Sequence, residues 1–146
     1  PDYICYTTPT LPAPLTVTGD ARVTLYVSSD APDTDFMVRL CDVDEAGRSV
    51  KLADGILAAR FRNGFSAPEY LEPGKVEKLV IRTSKISHCF LPGHRLRVSV
   101  TSGAKHFVFP NSNTKDAYNS TESRVAHNTV WHGGAAPSHI LLHVER

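Results

Sequence analysis

From Asp33 to Arg62 apolar and polar side chains alternate in short runs, and none of these runs is long enough to be a convincing helix. Phe36, Val38 and Leu40 fall on one side of an extended chain, and Met37, Arg39 and Cys41 on the other. That is the pattern of a strand with one buried face. Asp44, Glu45, Ala46, Gly47 and Arg48 then supply a hydrophilic reversal, in which Gly47 can take the positive φ that a short hairpin loop commonly needs. Ser49 to Leu52 pair back, Asp54 and Gly55 turn the chain again, and Ile56 to Arg62 make a third extended run. The stretch is predicted to be a three-stranded antiparallel meander.

The remaining sequence repeats this style. Tyr3 to Tyr6 reads as a strand, Thr8 to Pro14 as an extended edge or linker because proline cannot donate to a ladder, and Leu15 to Thr18 as a short strand turned by Gly19 and Asp20. Val23, Leu25 and Val27 alternate with Thr24, Tyr26 and Ser28, which puts one face in the core. Asn63 to Pro73 is a loop, followed by strands at Val76 to Thr83, at Ile86 to Leu91, and around Leu96, Val98 and Val100. Lys105 to Ser123 lacks a pattern and reads as a surface excursion. Val125 to Trp131 and Ile140 to Val144 complete about ten short strands, spaced roughly 8 to 12 residues between turns. The fold class is all-β, and a two-sheet jelly-roll β-sandwich lets each sheet bury one face.

At 146 residues the chain is expected to be one domain, residues 1–146, with a core that needs neither disulfide nor metal. The formal net charge of +1 leaves no basic field for nucleic acid. No apolar run approaches the roughly 20 residues of a membrane span, so neither nucleic acid nor membrane is an expected partner. Cys5, Cys41 and Cys89 are odd in number and lack zinc-site spacing; they read as buried reduced thiols and point to the cytoplasm, secretion remaining an alternative. The chain opens at Pro1 directly into strand-like sequence, which suggests part of a longer protein.

Several residues are candidates for a site. Asp30, Asp33 and Asp35 form an acidic cluster of a kind that can hold Ca²⁺, although aspartates in such places also cap turns. His139 and His143 have a metal-like spacing on a helix, but on a strand their Cα atoms would stand about 13 Å apart at roughly 3.3 Å per residue. They are expected on the outer face of a strand whose inner face is Ile140, Leu142 and Val144. His94 reads as a hydrogen-bonded structural residue. Asn119-Ser120-Thr121 fits a glycosylation acceptor and carries no functional weight. Trp131, Tyr118, Phe107 and Phe109 could line a sugar-binding surface. There is no Gly-x-Ser-x-Gly elbow to expose a serine nucleophile. No catalytic, cofactor-binding or metal-ligating residue is assigned, and no cofactor is implied.

Five runs appear in a characteristic order: Cys5-Tyr6-Thr7-Thr8, Asp33-Thr34-Asp35-Phe36, Asp54-Gly55-Ile56-Leu57, Leu91-Pro92-Gly93-His94-Arg95 and Pro137-Ser138-His139-Ile140. With them the chain resembles, over nearly its whole length, the C-terminal domain of the X-Pro dipeptidyl-peptidase and cocaine-esterase class of serine hydrolases. It departs from that pattern at Ser102 to Pro110, and Asn111-Ser112-Asn113-Thr114 regains it. The resemblance implies a galactose-binding-domain-like jelly roll, attached after an α/β-hydrolase domain that supplies the catalytic Ser, Asp and His. The expected function is therefore that of an accessory domain, packing on its upstream catalytic partner, shaping the active-site entrance and supporting homo-oligomerisation. The parent would hydrolyse an ester or an X-Pro amide. A free-standing carbohydrate-binding module is the chief alternative, and a purely structural interaction domain is the third.

Overall fold

The computed structural model describes residues 3–104 and 106–145. Its strands are β1 (Tyr3–Thr7), β2 (Leu15–Gly19), β3 (Arg22–Ser29), β4 (Asp35–Val43), β5 (Ser49–Ala58), β6 (Glu77–Arg82), β7 (Ile86–Phe90), β8 (Arg95–Thr101), β9 (Asn128–Trp131) and β10 (His139–Leu141). One layer is the antiparallel sheet β1-β8-β4-β5. In the other, β3 pairs with β6 on one side and with both β9 and β10 on the opposite side, end to end. The β2-β7 pair extends this second layer: the chain after β10 bonds to β2 through Thr18 N–H to the His143 carbonyl at 3.0 Å and Glu145 N–H to the Thr16 carbonyl at 2.9 Å.

The alternating residues meet between the layers. Val23, Leu25 and Val27 of β3, Leu79 and Ile81 of β6, Phe36, Val38 and Leu40 of β4, and Leu96, Val98 and Val100 of β8 join one hydrophobic cluster. Burial of this apolar surface is what holds the two sheets together. The result is the all-β sandwich expected from the sequence.

The organising hairpin forms with its predicted reversal. Asp44 caps the turn, its Oδ1 accepting from the Arg48 N–H at 2.9 Å, and Gly47 takes φ +84°. The second predicted turn, at Asp54 and Gly55, does not exist. Both residues lie inside β5, which runs unbroken for ten residues past a register shift opposite Leu40 and Cys41. Such a bulge disturbs the period of two, so that one bent strand reads as two. Gly55 serves a close approach instead: a Cβ there would stand 2.5 Å from the Arg82 carbonyl oxygen on β6. The third run ends early as well, because after Ala58 the chain winds into a short 3-10 turn, Ala59–Phe61.

β4 is also more deeply buried than predicted. Met37 and Cys41 face away from the core cluster yet are buried, Cys41 lying between Arg97 of β8 and Lys51 of β5 in the sheet. Long basic side chains cover apolar neighbours with their methylene stems. Of the cysteines, Cys41 alone is buried; Cys5 and Cys89 are exposed, against the expectation for both. Val144, placed on an inner face by its alternation, is half exposed, because β10 ends at Leu141 and the chain swings over to bridge Val17.

Candidate functional site

Asp33, Thr34 and Asp35 enter β4 as three consecutive polar residues, and all three are essentially inaccessible, at 0%, 0% and 1% exposure. Burying carboxylates is costly unless each oxygen finds a donor. Asp33 Oδ1 accepts from the Arg60 backbone N–H at 3.0 Å, and Oδ2 receives the Arg60 guanidinium. The 3-10 turn after β5 exists to deliver these donors, with Ala59 N–H bonded to the Thr34 carbonyl at 2.9 Å. Asn111 then reaches in from the unpatterned stretch, and its Nδ2 donates to Asp33 Oδ2 and to Asp35 Oδ1, each at 2.8 Å. Tyr118 Oη donates to Asp35 Oδ2 at 2.8 Å.

Burial pushes the Asp35 carboxyl above the ordinary aspartate range, against the pull of the Asn111 and Tyr118 hydrogen bonds. The Tyr118 phenol is pushed up to about 12, by burial first and by its bond to the Asp35 carboxylate second. The network has a mechanical consequence. A stretch that sequence reading leaves as a surface excursion is tied to the central strand; Ala117 and Ser112 are buried within it, and Ala117–Asn119 forms a second 3-10 turn. Lys105, where the predicted excursion begins, lies outside the described residues.

Above the network Asp35, Ile56, Phe107, Val108, Phe109 and Tyr118 line an open cleft of about 490 Å³. Phe109 is 84% exposed and Phe107 57%. Basic groups lie against these rings: the Arg39 guanidinium and Lys51 Nζ stand 6.0 and 5.4 Å from the Phe107 centroid, and the Arg60 guanidinium 5.2 Å from that of Tyr118. Among the described residues that line the cleft, the Tyr118 hydroxyl and the Asp35 carboxylate are engaged with each other and Asp35 also with Asn111. The cleft can present rigid aromatic surface to a partner.

Of the four aromatics weighed as a sugar platform, Phe107, Phe109 and Tyr118 share this cleft. Trp131 lies on β9 in the other layer, opposite Tyr26, with its indole N–H on Ser28 Oγ at 2.9 Å. Asp30 is separated in function from Asp33 and Asp35, because it caps the His127 backbone N–H at 2.9 Å and bonds the His127 ring at 2.8 Å. His139 Nδ1 donates to the Pro137 carbonyl at 2.6 Å, and His143 packs beside Gly19. His94 is hydrogen-bonded, as expected, but its partner was not foreseen: Asp42 takes His94 Nδ1 and His88 Nε2 on its two oxygens, each at 2.8 Å. Sequence reading also missed Arg60. Asn111 is legible in the sequence only as one asparagine of the unpatterned stretch and of the Asn-rich run in the resemblance, with no partner indicated.

The sequence profile of the X-Pro dipeptidyl-peptidase C-terminal non-catalytic domain matches residues 1–141, and the chain belongs to that family. It is 39% identical over 144 residues to the cocaine esterase of Rhodococcus sp. (strain MB1 Bresler), an alignment that covers 97% of this chain and 25% of that protein. Among solved structures, an aminopeptidase from a marine sediment Thaumarchaeota archaeon superposes with TM-score 0.93 at 28% identity, over 99% of this chain and 26% of the other. An α-amino acid ester hydrolase superposes with TM-score 0.90 at 27% identity, again over 99% of this chain and 26% of the other. The chain thus spans about a quarter of the length of the relatives it matches.

Proposed function

We propose that this chain serves as the C-terminal accessory domain of a serine hydrolase, packed on an upstream catalytic domain and contributing to the walls of its active-site entrance. The observation that carries this reading is the family match over residues 1–141, together with relatives four times as long whose names are those of hydrolases. Those names cover both ester and amide bonds, so the proposed parent reaction is transfer of an acyl group from an ester or amide carbonyl to water. The nucleophile, base and oxyanion donors for that reaction would come from the upstream domain. What this chain offers is a stiff scaffold. The Asp33–Asn111–Asp35–Tyr118 network ties down the loop after β8, and a wall that does not move is what positioning a substrate requires.

A sugar-binding module would use the same cleft, since Phe107, Phe109 and Tyr118 are gathered there. The accessory reading is preferred because Arg39, Lys51 and Arg60 already lie against two of those rings and Trp131 stands elsewhere. The test is covalent labelling of the full-length protein with a fluorophosphonate, followed by peptide mapping. The label is expected wholly upstream of residue 1, with substitutions at Phe107 or Phe109 changing KM more than kcat. A label on any serine between residues 1 and 146 would overturn the proposal.

A further inference from the structure

The two edges of the sandwich are built differently. On the β5–β6 side the layers are pinched together, with Gly55 against the Arg82 carbonyl and the Ser84 N–H bonded to the Asp54 carbonyl at 3.0 Å. On the opposite side, between β1 and the β9–β10 line, they gape. β1 turns Ile4 and Tyr6 toward the interior, in register with Val100 and Val98 of the core, yet both stay about 40% exposed. Across from them stand Val130 of β9 and Ile140 of β10.

The gap holds two hollows. One, of about 490 Å³, reaches Phe36 and Val100. The second, of about 270 Å³, is floored by Val23, Leu25, Val98, Val100 and Ile140, four of them members of the core cluster. Tyr6 and His132 close over it edge to face at 6.1 Å. Burial already holds the Tyr6 phenol above its ordinary range. Among the described strands β1 and β9 pair on one side only, so each lip also offers an unused backbone edge.

The core residues of the floor are buried, but Ile4 and Tyr6 on one lip and Val130 and Ile140 on the other stay partly exposed, and leaving these apolar lips in water forfeits the hydrophobic gain that their burial would bring. We propose that this mouth is the face that docks on the catalytic domain of the same polypeptide, with an apolar side chain of that domain seated in the pocket beneath Tyr6 and His132. The inference rests on the accessory-domain reading above and names the surface it uses. Two observations select the occupant. The family is a C-terminal domain, and this chain covers only a quarter of its relatives, so in them some three quarters of the polypeptide stands outside this domain. The first described strand, β1, is itself one lip, so an upstream domain would be delivered to this edge at high effective concentration. The aromatic cleft is the rival face, but two of its three rings, Phe107 and Tyr118, already have cations against them, whereas the mouth lies directly over core residues.

The test is thiol labelling in the folded full-length hydrolase, read peptide by peptide by mass spectrometry. Ile4→Cys and His132→Cys probe the mouth, Phe109→Cys probes the rival cleft, and Val80→Cys on the exposed face of β6 is the reference. Hydroxyl-radical footprinting of the unsubstituted protein gives the same comparison for Tyr6 against Tyr70, which matches it in exposure at 37% against 40%, so a variant that fails to fold does not end the test. The mouth positions are expected to label at least ten-fold more slowly than Val80→Cys, and Tyr6 to be protected relative to Tyr70. If Phe109→Cys is protected while the mouth labels at the reference rate, the domain docks by another face and this inference alone fails. If every position labels like the reference, both it and the accessory-domain reading fail. Uniform slowing that includes Val80→Cys would also overturn it, because the mouth would then be no different from the rest of the surface.

Discussion

Asn111 divides one side-chain amide between two buried carboxylates, Asp33 and Asp35, and so links the loop after β8 to the first residue of β4. Asn111→Ala removes both bonds, orphaning the buried Asp35 Oδ1 and leaving Asp33 Oδ2 with the Arg60 guanidinium alone. An orphaned buried acceptor costs about 1–3 kcal/mol, more when charged, so the variant should lose about 3 kcal/mol in chemical denaturation. Hydrogen exchange over residues 106–125 should quicken in the same variant. Unchanged stability and protection would mean that the loop is held by something else.

Tyr118 gives a spectroscopic handle on the same network. With its pKa raised to about 12 from an ordinary value near 10, the folded state keeps the phenolic proton longer than the unfolded chain does. Its contribution to stability is therefore complete below about pH 10 and is lost as the pH rises toward 12. In an ultraviolet titration one tyrosine should ionise near pH 12, and Tyr118→Phe should delete that phase. A phase that survives the substitution would assign it to another residue.

Gly55→Ala should destabilise, although alanine in place of glycine within a strand would ordinarily help. The new methyl would meet the Arg82 carbonyl at 2.5 Å, and backbone cannot step aside as a side-chain tip can. A loss of about 1–3 kcal/mol, the range for overpacking, is expected from the denaturation midpoint. A gain in stability would show that β5 and β6 are not pinched together there.

How far a sequence discloses its fold is shown by neighbouring residues of this one hairpin. Phe36, Val38 and Leu40 were legible as a buried face because alternation is a local property. The role of Gly55 was not, since a glycine in a turn and a glycine in a close approach look alike until the opposing strand is known. The same limit hid the site. Asp33, Asp35 and Tyr118 were each singled out, but for calcium or for sugar, because Arg60 and Asn111 lie 27 and 78 residues from Asp33. Asp42, His88 and His94 are likewise joined only by the packing of β4, β7 and the turn before β8. The family resemblance reached further than periodicity did, since it selected the Asp33-Thr34-Asp35-Phe36 run as a unit without saying what binds it.

The hairpin itself is tested by a pair of truncations. Leu40→Ala, at 1% exposure, should cost about 2–5 kcal/mol, the range for a core leucine. Ile56→Ala on the partner strand, at 46% exposure, should cost far less. Equal losses from the two would place the wrong face of β4 and β5 in the core.

The accessory-domain account is tested most directly by calorimetric titration of this chain into the separately produced upstream part of the same hydrolase, with a parallel titration against a glycan panel. The account predicts saturable one-to-one association with the upstream part, a negative heat-capacity change from buried apolar surface, and no glycan binding. Silence toward the upstream part, together with saturable binding of a glycan that is lost on replacing Tyr118 or Trp131, would contradict it.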